Sequence, residues 1–307
     1  MSSDNTSVAI LGGGFIGGNL ANYLAERGFK VKVIDRSPRP AELGNDNITW
    51  TNASIEHLQY LSDTIKGCHT VFHLFSSTVP GDKVSLEQEI SNNIYLLSNI
   101  LDICIAEKVS RFIFMSSASV YGLQGEIPIS EKAAPLPIST HGLQKLAMEH
   151  LIHIKTRNSA LSSKILRLAN PYGKGQNLYG RQGFIAIAVG KILRGESIQI
   201  RGKGETVRDF IFIDDVMNVC CKLITDHSND QIFNLGSGQG VSLNQVISEI
   251  QSIINQPVEV EYISEREEDI PVSILDISRV QYALGFKPYT SLREGLEKFL
   301  SGHGLTN

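Results

Sequence analysis

The sequence predicts an α/β protein: a doubly wound parallel sheet followed by a smaller α+β region toward the C-terminus. Short apolar runs alternate with amphipathic stretches over the first half, and a glycine-rich loop stands between the first run and the first helix. Beyond about residue 170 the pattern loosens into glycine-spaced turns and short capped helices. Residues 8–11, 31–34, 70–74, 112–115 and 164–168 are apolar, too short for helices, and read as buried strands. Between them, residues 19–27, 85–106 and 143–157 have helical spacing, so the order is that of βαβ units. Pro171-Tyr172-Gly173-Lys174-Gly175 and the glycine-spaced stretch 195–204 mark the second region. There, Ser242-x-x-Gln245, Ser278-x-x-Gln281 and Ser291-x-x-Glu294 have the capping-box pattern, each predicting the start of a short helix.

Bulk properties exclude several classes of function. A chain of 307 residues, 42% hydrophobic and 20% charged, can bury one large core or two unequal ones. Its formal charge of -4 provides no basic field for nucleic acid and no polybasic surface for anionic lipid. Cys68, Cys104, Cys220 and Cys221 have no ligand or disulfide spacing, which predicts free thiols in a reducing compartment and no metal. Residues 1–5 are polar, and no uncharged stretch approaches a membrane span. The expectation is a cytoplasmic protein with no membrane and no nucleic-acid partner.

Gly12-Gly13-Gly14-Phe15-Ile16-Gly17 follows the first predicted strand and opens a helix, and Asp35 ends the next strand about twenty residues on. Glycines let the backbone approach a pyrophosphate at the positive end of the helix, while a carboxylate at Asp35 accepts the ribose hydroxyls and repels a 2′-phosphate. The pattern predicts a Rossmann-type dinucleotide site that prefers NAD to NADP. Arg36, beside Asp35, is either a solvated side chain or a partner for a 2′-phosphate.

Farther on come Val71-Phe72-His73-Leu74, Asn92-Asn93, Ser116-Ser117-Ala118-Ser119-Val120-Tyr121-Gly122 and His141-Gly142-Leu143-Gln144-Lys145. Leu166-Arg167-Leu168-Ala169-Asn170-Pro171-Tyr172-Gly173, Arg208-Asp209-Phe210, Asp214-Asp215-Val216, Phe233-Asn234-Leu235-Gly236 and the stretch 266–285 follow. In order and spacing, nearly end to end, the chain resembles the extended short-chain dehydrogenases/reductases of the NAD-dependent epimerase/dehydratase family. The resemblance implies a Rossmann domain over residues 1–170 plus about 208–237, and a nucleotide-sugar domain over about 171–207 plus 238–303. It implies NAD held by Gly12, Gly14, Phe15, Ile16, Gly17, Asp35, Arg36, Ser54, Ile55, Leu74, Phe75 and Lys145. It also implies a catalytic group of Ser117, Lys145 and His141, the last where the family carries tyrosine. A helix from about Ser139 would put His141 and Lys145, four residues apart, on one face.

By the same resemblance Asn170, Arg208 and Arg266 hold the nucleoside diphosphate, two guanidinium groups being a natural clamp for two phosphates. Ser273 stands at a gatekeeper position beside the sugar and leaves room for an N-acetyl group. Ala118 and Ser119 replace the carboxyl groups that dehydratases and decarboxylases of the family use, which removes support for those reactions. Ala53-Ser54-Ile55 stands where a Gly-Asp-aliphatic triplet reads the adenine, and Phe75 where a small residue is usual, either crowding the cofactor or packing beside it. Three readings stay open. The first is a 4-epimerase acting on a UDP-hexose or UDP-N-acetylhexosamine for polysaccharide biosynthesis. The others are an NAD(P)H-dependent 4-keto-6-deoxysugar reductase, and a silent protein that binds NAD or nucleotide sugar. A homodimer formed through helices 85–106 and 143–157 is implied by the resemblance alone.

Overall fold

The computed structural model describes residues 6–75, 90–264 and 270–306. In chain order the elements are β1 (Ser7–Leu11), α1 (Phe15–Ala25), β2 (Lys30–Asp35), β3 (Ile48–Asn52), α2 (Leu58–Ile65), β4 (Thr70–His73), α3 (Leu96–Ala106), β5 (Arg111–Ser117), α4 (Thr140–Thr156), β6 (Ser162–Leu168) and β7 (Asn170–Tyr172). There follow α5 (Phe184–Leu193), β8 (Ile198–Arg201), β9 (Val207–Phe212), α6 (Ile213–Leu223), β10 (Ile232–Leu235), β11 (Gly240–Ser242), α7 (Leu243–Ile254), β12 (Val260–Ile263), β13 (Val272–Ser273), α8 (Ser278–Leu284) and α9 (Leu292–Ser301). The chain falls into two compact units. One comprises Met1–Ser117, Thr140–Arg167 and Met217–Phe233; the other comprises Ala118–Ser139, Leu168–Val216 and Asn234–Asn307.

The first unit is built on a seven-stranded sheet of order β10-β6-β5-β4-β1-β2-β3. β1 pairs in parallel with β2 (Leu11 opposite Ile34) and with β4 (Leu11 opposite His73), and β4 pairs in parallel with β5. The winding therefore reverses between β1 and β4, and the loops leaving their carboxyl ends part to leave a crevice. All five predicted strands are present. β1 and β4 are buried almost throughout, as continuous apolar runs with helices on both faces must be. On one face Leu61 and Ile65 of α2, Leu97, Ile100 and Leu101 of α3 and Met148 and Ile152 of α4 close over Leu11, Val71, Phe112 and Phe114. Each such side chain contributes roughly 1.5–3 kcal/mol of burial. The helix predicted over 85–106 is seen from residue 90 onward, a π-type turn Ile90–Tyr95 leading into α3; its first residues lie outside the described ones.

The second unit holds a small sheet in which β9 pairs antiparallel with β11 and parallel with β13 and β7, and a separate parallel pair of β8 with β12. Tyr172, Phe210 and Phe212 stack edge to face beneath α9, where Gly295 lets the helix backbone rest against the Tyr172 hydroxyl. Two capping boxes form as predicted, Ser242 with Gln245 at α7 and Ser291 with Glu294 at α9. The third does not. The Ser278 amide and hydroxyl both donate to Asp276 Oδ1, at 2.9 and 2.5 Å, so the hydroxyl is committed upstream and Ile277 occupies the cap position. An aspartate two residues earlier competes successfully for a short hydroxyl side chain.

Candidate active site

The glycine loop leaves β1 at the reversal of winding. Gly12 has φ +99°, a conformation glycine adopts without strain, and a Cβ there would lie 2.8 Å from Phe75 Cβ. A Cβ on Gly17 would strike the Gly12 carbonyl, and one on Gly13 would strike the Trp50 indole. Gly14 caps α1 without a side chain, and the first turn carries no acidic residue, so the leading amides of α1, at the helix's positive end, have neither a side-chain cap nor an intrahelical acceptor. At the end of β2 the Asp35 carboxylate is fixed by the Gly13 and Ser37 amides, each at 2.7 Å. A cleft of about 270 Å3 is lined by Gly12, Gly14, Asp35, Arg36, Ser54, Ile55, Glu56, Leu74, Phe75 and Leu96. A bare loop, an uncapped helix terminus, a braced carboxylate and apolar walls fit the pyrophosphate, ribose and base of a dinucleotide. The Phe75 ring stacks on His73, with centroids 4.3 Å apart. His73 is fully buried, neither ring nitrogen has a hydrogen-bond partner among the described residues, and burial followed by the Lys145 charge pushes it down to about 3, so it is neutral.

β5 and α4 carry the three residues expected to form the reacting group. Ser117 ends β5, and His141 and Lys145 lie one turn apart at the start of α4. Lys145 is buried; its ammonium donates to the Met115 carbonyl at 2.8 Å and stands 4.8 Å from the Phe114 ring centroid. Burial pushes Lys145 down to about 8, opposed by the charge of Glu149. His141 is pushed down to about 4, first by burial and then by the Lys145 charge, and its Nδ1 is buried without a hydrogen-bond partner among the described residues. The imidazole is therefore uncharged at neutral pH and able to accept a proton.

Sequence reasoning missed what lies behind this pair. Glu149, one turn beyond Lys145, accepts from Ser116 Oγ at 2.5 Å and from Arg167 Nη2 at 2.6 Å, all three side chains being buried. The spacing 141, 145, 149 is one helical stripe and was the available signal; the Arg167 partner on β6 is a contact between elements that no local pattern reveals.

In the second unit, Asn170, Arg208 and Ser273 fall on adjacent strands, with Ser273 opposite Arg208 and Asn170 opposite Phe210. The Asn170 amide donates to the Asp209 carbonyl at 3.0 Å, and Arg208 Nη1 donates to the Val207 and Ile270 carbonyls at 2.9 and 2.7 Å. Arg266 lies outside the described residues. Among the described residues there is no group of three metal-ligating side chains and no helix long and apolar enough to cross a membrane. The thiols of Cys68, Cys104 and Cys220 are buried and free.

The NAD dependent epimerase/dehydratase family matches residues 8–236. The chain is 30% identical over 312 residues to a dTDP-4-dehydro-6-deoxyglucose reductase of Escherichia coli, covering 98% of each. Among solved structures it is similar to a UDP-glucose 4-epimerase of Thermotoga maritima with UDP-glucose, at TM-score 0.90 and 32% identity over 97% of this chain and 99% of that one. It is also similar to a UDP-glucuronic acid 4-epimerase of Bacillus cereus in complex with UDP-glucuronic acid and NAD, at TM-score 0.87 and 26% identity over 96% and 98%.

Proposed function

The chain belongs to the NAD dependent epimerase/dehydratase family, an enzyme family whose cofactor is NAD, and from that premise we propose that it is a nucleotide-sugar 4-epimerase with His141 as its proton carrier. The substrate is a UDP-hexose or UDP-N-acetylhexosamine, converted through a transient 4-keto sugar. Bound NAD supplies the acceptor for the C4 hydride and the store from which it returns. His141 takes the proton of the sugar 4-hydroxyl and gives it back when the hydride returns to the opposite face. Ser117 hydrogen-bonds the reacting oxygen, and Lys145 holds the nicotinamide ribose, while burial, aided by the Lys145 charge, keeps the imidazole neutral. The observation that carries this reading is the neutral His141, one turn from a buried ammonium, with an Nδ1 that no described residue engages. A base held near 4 has less driving force than one poised near 7, so the proposed enzyme is slow.

Asn170, Arg208 and Arg266 are the proposed diphosphate ligands, and Ser273, with its small side chain, admits an N-acetyl group. The exposed Tyr95, Ile105, Leu143 and Ile154 on and beside α3 and α4 suit a homodimer face. The reductase reading keeps its place on one observation, the similarity over 98% of its length to the E. coli 4-keto-6-deoxysugar enzyme. Incubation with a panel of UDP- and dTDP-sugars, with and without NADH, separates them. Epimerised sugar without net NADH use supports the epimerase, NADH consumption with a 4-keto sugar supports the reductase, and binding without turnover overturns both.

A further inference from the structure

We propose that Glu56 reads the adenine amino group of bound NAD, taking over the role left open at Ser54. The cleft is lined from the carboxyl ends of three neighbouring strands: Gly12 and Gly14 follow β1, Asp35 ends β2, and Ser54, Ile55 and Glu56 follow β3, whose neighbouring Ala53 amide donates to the Asp35 carbonyl at 2.9 Å. The apolar Leu74 and Leu96 also line it. A dinucleotide whose phosphates lie on the bare loop and whose ribose meets Asp35 has its purine at the Ser54–Glu56 wall. The purine edge there offers an exocyclic amino group that must donate and a ring nitrogen that must accept.

Of the two side chains able to answer, the Ser54 hydroxyl already accepts the Glu56 amide, at 3.3 Å, which leaves its own proton to donate. That suits the ring nitrogen and not the amino group. Glu56 is the carboxylate of this wall. The residue is exposed, and its carboxylate makes no hydrogen bond or ion pair with the described residues. An ionised carboxylate accepts only, and an acceptor is what an amino group needs. Two residues along the same turn, the chain thus restores the charge that Ser54 lacks. A hydrogen bond to a charged acceptor is worth about 1.5–3 kcal/mol, about tenfold or more in affinity.

The inference rests on the NAD reading, and nicotinamide hypoxanthine dinucleotide tests it apart from that reading. This analogue carries a carbonyl oxygen in place of the amino group, so it turns an acceptor toward the carboxylate. Trp50 is the sole tryptophan, and its indole packs on Gly13, so quenching of its fluorescence reports binding without turnover. Protein freed of endogenous nucleotide should bind NAD about tenfold more tightly than the analogue. In Glu56→Gln, whose carboxamide can turn its NH2 to the carbonyl, and in Glu56→Ala, the preference should collapse toward unity. Asp35-dependent discrimination against NADP should persist in both. A preference absent from the wild type, or unchanged in both variants, overturns the role of Glu56 while leaving NAD binding intact. Failure of the wild type to bind either dinucleotide overturns the cofactor reading and the inference with it.

Discussion

His141 is a residue whose environment determines its chemistry more than its type does. An exposed imidazole would be half protonated near 6.5, but burial and the Lys145 ammonium move it to about 4, and Lys145 itself lies at about 8. If the neutral imidazole accepts the proton and the ammonium must stay charged, activity needs a pH above the first value and below the second. The pH profile of kcat/KM should therefore be flat through neutrality, falling on the acid side near 4 and on the alkaline side near 8. An acid limb centred at 6.5 would contradict the assignment. At this scale the sequence was legible where a placement depends on local spacing: the glycine loop ahead of α1, Asp35 at the end of β2, and the pair at 141 and 145 on α4. Phe75, which sequence alone left either crowding or packing, stacks on the buried His73 while keeping an edge on the cofactor cleft. His73 itself, apart from its place in the family motif, had no separate sequence signal, because burial to the last ring atom depends on strands whose partners are 41 residues apart meeting, His73 opposite Phe114.

Among the elements, the helices of the second unit show how a cap motif succeeds or fails. Ser242 and Ser291 each accept the amide three residues on, at 3.2 and 3.3 Å, and the Gln245 and Glu294 side chains return the bond. Ser242→Ala and Ser291→Ala should each cost about 1 kcal/mol of stability. Ser278→Ala, despite the same sequence pattern, should cost less than about 0.5 kcal/mol, because the Asp276 carboxylate still holds the Ser278 amide. Urea midpoints of the three variants check this, and an equal loss at Ser278 would contradict it. β3 and α2 escaped sequence reasoning for a related reason. β3 reads Ile-Thr-Trp-Thr-Asn at the sheet edge, with one buried, two half-buried and two exposed positions, and its two apolar residues are too few to mark a strand as the long apolar runs do.

For the whole molecule, the parallel order and the reversal of winding between β1 and β4 follow from elements that were largely readable, since βαβ alternation leaves few topologies. What was not readable is the grouping of residues 118–139 with the second unit. The assembly is a proposal at this scale: Leu143 and Ile154 stand exposed on α4, and Ile105 on α3. Sedimentation should give a dimer that Ile154→Glu shifts toward monomer, and a wild-type monomer at micromolar concentration would contradict it.

The central claim is proton transfer by His141, and a pre-steady-state experiment reaches it directly. The protein, loaded with NAD, is mixed with excess UDP-sugar, and the near-ultraviolet absorbance of reduced nicotinamide is followed in the wild type and in His141→Ala. The account predicts a transient in the wild type and a rate lower by about 10²-fold or more in the variant, with sugar-nucleotide binding unchanged. An alanine variant that forms the transient as fast as the wild type would contradict it.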